Sequence, residues 1–166
     1  DDEISRRFFV RCVFRGAADR PVALETLRQQ FAPVAQRFAM QWAMHSRAER
    51  PRVLIMASKF DHCLNDLLYR WRVGELAMDI PAIVSNHRDL QPIADAHGLP
   101  FHHLPVTPES KAAQEQQLMQ IASASSTELV VLARYMQVLS SDLCAQLAGR
   151  AINIHHSFLP GFKGAK

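Results

Sequence analysis

From Arg52 onward, short runs of continuously apolar residues alternate with segments of helical periodicity, and this alternation restricts the fold more than any other feature. The apolar runs cover 53–56, 80–84, 101–104, 129–133 and 151–154, and the helical segments cover 63–73, 89–97, 109–122 and 141–147. An apolar run without polar alternation is a strand covered on both faces. Strands of that kind separated by helices build an open, doubly wound α/β sheet, because each parallel crossover needs a long connection that a helix supplies. Gly98 and Gly149 follow two of the helical segments as C-terminal stops, and a serine precedes Ser141 as an N-cap. The expected fold is a mostly parallel sheet with ligands held beyond the carboxyl ends of its strands, near the point where strand order reverses.

The first part of the chain follows another rule. Phe8, Val10, Cys12 and Phe14 alternate with Arg7, Phe9, Arg11 and Val13, the period of a strand. Leu24, Leu27, Phe31 and Val34 then recur at helical spacing, with Pro21 placed to start the helix and Pro33 expected to end or kink it. Phe38, Met40, Trp42 and Met44 alternate again. Strand, helix, strand reads as the second half of a ferredoxin-like βαββαβ unit whose first strand and helix would precede Asp1. Domain boundaries are expected at 1–47 for this part, 48–51 for a linker inside the polar stretch HSRAERP, and 52–166 for the sheet domain. The absence of an initial Met and the ending at Lys166 read as cuts in a longer polypeptide.

Composition narrows the function classes. A formal net charge of +3 over 166 residues is mild. Its basic residues are scattered, with no compact basic run interleaved with aromatics, so nucleic-acid binding is not expected. Cys12, Cys63 and Cys144 are far apart and form no C-x-x-C, which argues against a disulfide framework or a thiolate zinc site and fits a reducing cytoplasm. No apolar stretch approaches membrane-spanning length, so no membrane partner is expected.

The residues with the most chemistry lie at 151–162, AINIHHSFLPGF. On a strand Asn153 and His155 share one side, while Ile152 and Ile154 take the other. An amide donor next to an imidazole at a strand's C-terminal end suits an oxyanion and a proton at one carbonyl, hence chemistry on an acyl group. The same residue types also serve as turn residues that bond the backbone. The pairs His102-His103 and His155-His156 raise a zinc hydrolase as an alternative, but neighbours in a pair face opposite ways and no H-x-x-x-H accompanies them. No metal is expected. The turn after the first apolar run reads Ala57-Ser58-Lys59-Phe60-Asp61-His62, with no glycine, so a backbone cradle for phosphate is not expected.

Five stretches carry a resemblance: VLIMAS at 53–58, IPAIVSNHRDL at 80–90, GLPFHHLPVTPESK at 98–111, LVVLARYMQVLS at 129–140 and INIHHSFLPGF at 152–162. Residues 52–166 resemble the Rossmann-type catalytic domain of the formyltransferase-type folate enzymes, and within that group the formyltetrahydrofolate deformylases. Residues 1–47 are similar to the end of the ACT domain that precedes it. The resemblance implies hydrolysis of 10-formyltetrahydrofolate by water, supplying formate for purine synthesis and balancing one-carbon folate pools, with no cofactor. It implies a trio of Asn, His and Asp, of which Asn153 and His155 match two and the Asp would fall beyond Lys166. It assigns Tyr135, Met136, Gln137, Val138 and Leu139 to the folate head, largely through backbone groups. His156 faces away from His155 on an ideal strand, and either lines the water side of the site as part of the substrate-binding set or packs beneath the loop. It also implies a homo-oligomer and an amino-acid effector at the ACT-like segment. The runner-up is formyl transfer to an amine, as in glycinamide ribonucleotide transformylases. Those enzymes carry a Gly/Ser-rich phosphate loop where this chain has SKFDH, and usually Pro where it has His156.

Overall fold

The computed structural model describes residues 8–15 and 22–154. The chain divides into two compact units between Ser46 and Arg47.

In the second unit, β1 (Val53–Ala57), β2 (Ile83–Ser85), β3 (Phe101–His103), β4 (Leu129–Ala133) and β5 (Ala151–Asn153) form one sheet in the order β3-β2-β1-β4-β5. All pairings are parallel. The helices are α2 (His62–Arg72), α3 (Gln91–Ala96), α4 (Lys111–Ala124) and α5 (Ser141–Gln146). Successive β1 residues point to opposite faces and supply two cores. Val53, Ile55 and Ala57 pack with Leu64 and Leu68 of α2 and Ala94 of α3. Leu54 and Met56 pack with Leu118 and Ala122 of α4 and Leu143 of α5. Two helices per face make the sheet doubly wound, as the apolar runs predicted, and β1 is buried along its whole length.

Several boundaries shift for local reasons. Strand β2 begins at Ile83 and not Ile80, because Pro81 has no N–H to give a ladder. Helix α4 begins at Lys111 and not Glu109. Ahead of it, Thr107 and Ser110 exchange hydrogen bonds, Thr107 N to Ser110 Oγ at 2.8 Å and Ser110 N to Thr107 Oγ1 at 3.1 Å. Such hydroxyls offer the backbone an alternative to helix. The Ser140 cap of α5 is present, its Oγ accepting from Leu143 N at 3.1 Å. Gly98 and Gly149 follow α3 and α5 with φ of +65° and +75°, a conformation that favours glycine.

Strand β5 was expected to be covered on both faces; among the described residues its cover is incomplete, with Ile152 53% exposed. Among the described residues β4 is its neighbour in the sheet.

The first unit corrects other expectations. Helix α1 (Leu24–Arg37) runs through Pro33. A proline costs such a helix one hydrogen bond and a steric clash, about 3 kcal/mol. Packing offsets part of this: Phe31 meets the edge of Trp42 with ring centroids 5.0 Å apart. Arg28 donates twice to the Met44 carbonyl, at 3.2 and 2.8 Å. The alternating segments 8–14 and 38–44 form no strand among the described residues. Alternation sets sidedness, but a strand exists only through a partner's backbone.

Replacing Ile55, which has no exposed surface, by Ala is expected to remove about 2–5 kcal/mol of stability. The exposed Gln117→Ala is expected to change it by about 0.5 kcal/mol or less. Urea midpoints at unchanged slope measure both, and equal losses would contradict a core centred on β1.

Candidate active site

The carboxyl ends of the strands are Ala57, Ser85, His103, Ala133 and Asn153. With β1 flanked by β2 on one side and β4 on the other, strand order reverses between β1 and β4. The crevice of such a sheet opens there.

Ser58, only 2% exposed, ties three loops together at that point. Its hydroxyl donates to Asn86 Oδ1 at 2.7 Å and accepts from Met136 N–H at 2.9 Å. Its carbonyl accepts from Ser85 Oγ at 3.3 Å, and Ser85 Oγ in turn accepts from His87 N–H at 3.1 Å. Buried polar groups in such a chain stiffen one another while fully partnered. Nothing in the sequence reading singled out Ser58 or Asn86. The available signal was a small hydroxyl directly after a fully apolar strand, where it must find a buried partner.

The glycine-free turn after β1 is occupied by side chains. Arg134, just past β4, has φ of +57°, a left-handed conformation that costs an ordinary residue roughly 1–2 kcal/mol. Its guanidinium lies 4.5 Å from the centre of the Phe60 ring, a favourable cation–π geometry. Its Nη1 is 3.1 Å from His62 Nε2. Guanidinium only donates, so in this contact Nε2 is the acceptor. Phe60, His62 and Arg134 thus contact one another beside this turn, although Phe60 stays 52% exposed.

Residues 135–139 divide between two tasks. Tyr135, expected at the ligand, is 7% exposed and packs into the core. Its hydroxyl accepts from Gln114 Nε2 at 3.3 Å. Burial, with the nearby Glu115 charge adding to it, pushes the Tyr135 phenol up to about 12. Met136 and Val138 are 57% and 82% exposed, Gln137 is half-buried, and Leu139 packs against the α4 side. The backbone groups of 137–139 have no hydrogen-bond partner among the described residues. At the far end, Glu115 on α4 accepts from Ser140 N–H at 2.9 Å and from the Ser140 hydroxyl. Glu115 shares the buried face of α4 with Leu118 and Ala122; the sequence reading did not single it out, and that helical spacing was the available signal.

Asn153 stands at the end of β5 in register with Leu132 of β4, and Ile154 N–H donates to the Leu132 carbonyl at 3.0 Å. Asn153 therefore emerges at the same sheet edge as the 134–139 segment. It is exposed. His155 and His156 lie outside the described residues. Among the described residues no group of three or more His, Cys, Asp or Glu could hold a metal ion, and no helix is long and apolar enough to cross a membrane.

The family model described as formyl transferase matches residues 51–166. A crystal structure of a formyltetrahydrofolate deformylase from Burkholderia mallei is similar at a TM-score of 0.80 and 61% identity, covering 99% of this chain and 58% of that one. The formyltetrahydrofolate deformylase of Corynebacterium sp. is 46% identical over all of this chain and 58% of its own length. A phosphoribosylglycinamide formyltransferase structure from Coxiella burnetii is similar at a TM-score of 0.65 and 28% identity, over 70% of this chain and 56% of that one. The chain thus spans little more than half the length of these relatives.

The raised Tyr135 pKa has a sign. The unfolded phenol titrates at its ordinary value of 10.0 and the folded one at about 12. The stability this contributes is present below pH 10 and is lost as pH rises towards 12. Tyr135→Phe is expected to abolish this alkaline loss, on the order of 2 kcal/mol. It should also lower neutral-pH stability by about 1 kcal/mol through the orphaned Gln114 amide. Urea unfolding across that pH range reads both, and an unchanged alkaline slope would contradict the assignment.

Proposed function

The chain belongs to the formyl transferase family, and from that premise we propose that it carries the formyl-folate site of a hydrolase converting 10-formyltetrahydrofolate and water to tetrahydrofolate and formate. One observation favours water over an amine as the acceptor. The turn after β1, where a ribonucleotide phosphate would need bare backbone, has no glycine and carries Phe60 under Arg134, with His62 bonded to the guanidinium. A hydrolase has no phosphorylated acceptor to hold, so such a turn takes nothing from it. The names of the two more similar relatives agree.

In the proposed mechanism the exposed backbone of 136–139 binds the pterin-like head and sets the formyl group against Asn153. Water attacks the formyl carbon, and the carbonyl electron pair moves onto its oxygen. The Asn153 side-chain N–H donates to that oxyanion. His155, oriented by an Asp of the trio, takes a proton from the water and returns it to the departing nitrogen as the C–N bond breaks. Imidazole titrates near neutrality and serves both steps. Water's oxygen is then in formic acid, one of its protons is on the folate nitrogen and the other leaves as formate forms, so no redox cofactor enters the balance. Formate released this way would supply purine synthesis and relieve the formylated folate pool in the cytoplasm.

In the full-length polypeptide, given 10-formyltetrahydrofolate and no amine, formate release is expected to survive a chelator. It should fall about 10²–10³-fold in Asn153→Ala and vanish in His155→Ala. Release only after an amine is added would move the protein to the transferases, and loss to the chelator would restore a metal mechanism.

A second role rests on a separate observation. Phe8 and Phe14, which share one side of the alternating segment, are 74% and 60% exposed in the first unit, and large apolar side chains of that kind call for a cover. We assign residues 1–47 an ACT-like role, pairing with a second copy and taking an amino-acid effector. Sedimentation is expected to show an oligomer that Phe8→Asp with Phe14→Asp dissociates. A monomeric parent would refute it.

A further inference from the structure

We propose that Ser58 and Glu115 are positioning residues that clamp the two ends of the 136–140 segment, so that the backbone groups of 137–139 face the folate head already aligned. This rests on the folate reading above and deepens it. At one end the Ser58 hydroxyl, 2% exposed, accepts from Met136 N–H and is itself aimed by donating to Asn86. At the other end the Glu115 carboxylate, 9% exposed, accepts from both the amide and the hydroxyl of Ser140. The same Ser140 hydroxyl caps α5 by accepting from Leu143 N–H, so this end is anchored to two helices.

Between the clamps, the N–H and C=O groups of 137–139 find no partner among the described residues. Exposed backbone without regular structure is ordinarily free to sample many conformations, and ordering it on binding weakens affinity. With both ends fixed by hidden polar groups, that ordering precedes the ligand. The clamp also assigns the recognition groups. Met136 N–H is committed to Ser58, leaving the Met136 carbonyl and the groups of 137–139 to meet the pterin edge. Both clamping side chains are buried beneath the segment and serve through the backbone they hold, not by touching the ligand.

The test uses the full-length polypeptide and three variants: Ser58→Ala, Glu115→Ala and Glu115→Gln. Tetrahydrofolate binding is measured by fluorescence, formate release by kcat and KM, and exchange of the 137–139 amides by mass spectrometry. Ser58→Ala and Glu115→Ala are each expected to weaken tetrahydrofolate binding and raise KM about tenfold, about 1.4 kcal/mol. Their kcat is expected to stay within about threefold, the pattern of lost uniform binding, while the 137–139 amides exchange faster. Glu115→Gln keeps one carbonyl acceptor for Ser140 and is expected to fall between parent and Glu115→Ala. A purely structural role would lower the melting temperature and the active fraction without moving KM. Should Ser58→Ala fold poorly, Asn86→Ala removes only the group that aims the hydroxyl and is expected to move KM in the same direction. Parental affinity and exchange in all the variants overturn the clamp. A parent that binds no tetrahydrofolate overturns the folate reading instead.

Discussion

The pairing of β1 with β4 is the constraint on which the rest depends. Five consecutive register pairs, from Val53 with Leu129 to Ala57 with Ala133, run parallel through the centre of the sheet. Because the strands are parallel and in step, both end at the same height and both following turns start side by side. That is why Ser58, directly after β1, reaches Met136 N–H in the turn after β4. It is also why Arg134 reaches Phe60 and His62. Strand β2 joins β1 on its other side and brings Asn86 to the same hydroxyl. A slip of one residue would turn each apolar side chain to the other face and separate these partners.

The two faces of the crevice are built from different materials. On one side lies a turn of side chains: an aromatic ring, a guanidinium over it and an imidazole. On the other lies a stretch of bare backbone held at both ends. Backbone amides and carbonyls in fixed positions suit a flat, hydrogen-bonding heterocycle without charge, and a glycine-free turn offers a phosphate little bare backbone. The proposed folate site, with its chemistry at Asn153 on the adjoining strand end, would use this asymmetry.

Much of the fold was legible. The runs 53–56 and 129–133 name β1 and β4 almost residue for residue, since continuous apolarity in a short segment has few other uses. Less legible were ends decided by single groups: Pro81 delaying β2, or Thr107 and Ser110 holding off α4. Helix α1 passing Pro33 and the absence of ladders at 8–14 and 38–44 among the described residues share a reason. Local pattern states a preference, and partners elsewhere decide whether it is met. Of the candidate site, Asn153 and the 135–139 segment were readable as strand-end residues. Tyr135 was not readable as a core residue, because an aromatic with a hydroxyl suits a ligand or an interior equally.

By itself the sequence determined the order and type of the sheet elements, the two-sided burial of the central strands and the absence of a glycine cradle after β1. Those follow from periodicity and composition, which act over a few neighbouring residues. Only the tertiary structure decided that β1 lies between β2 and β4, that Ser58 closes a network across three loops, and that Glu115 grips Ser140 from another element. Hydrogen bonds between residues 25 to 78 positions apart leave no local trace in a chain. Each polar side chain is compatible with many partners, and the packing of the sheet selects one.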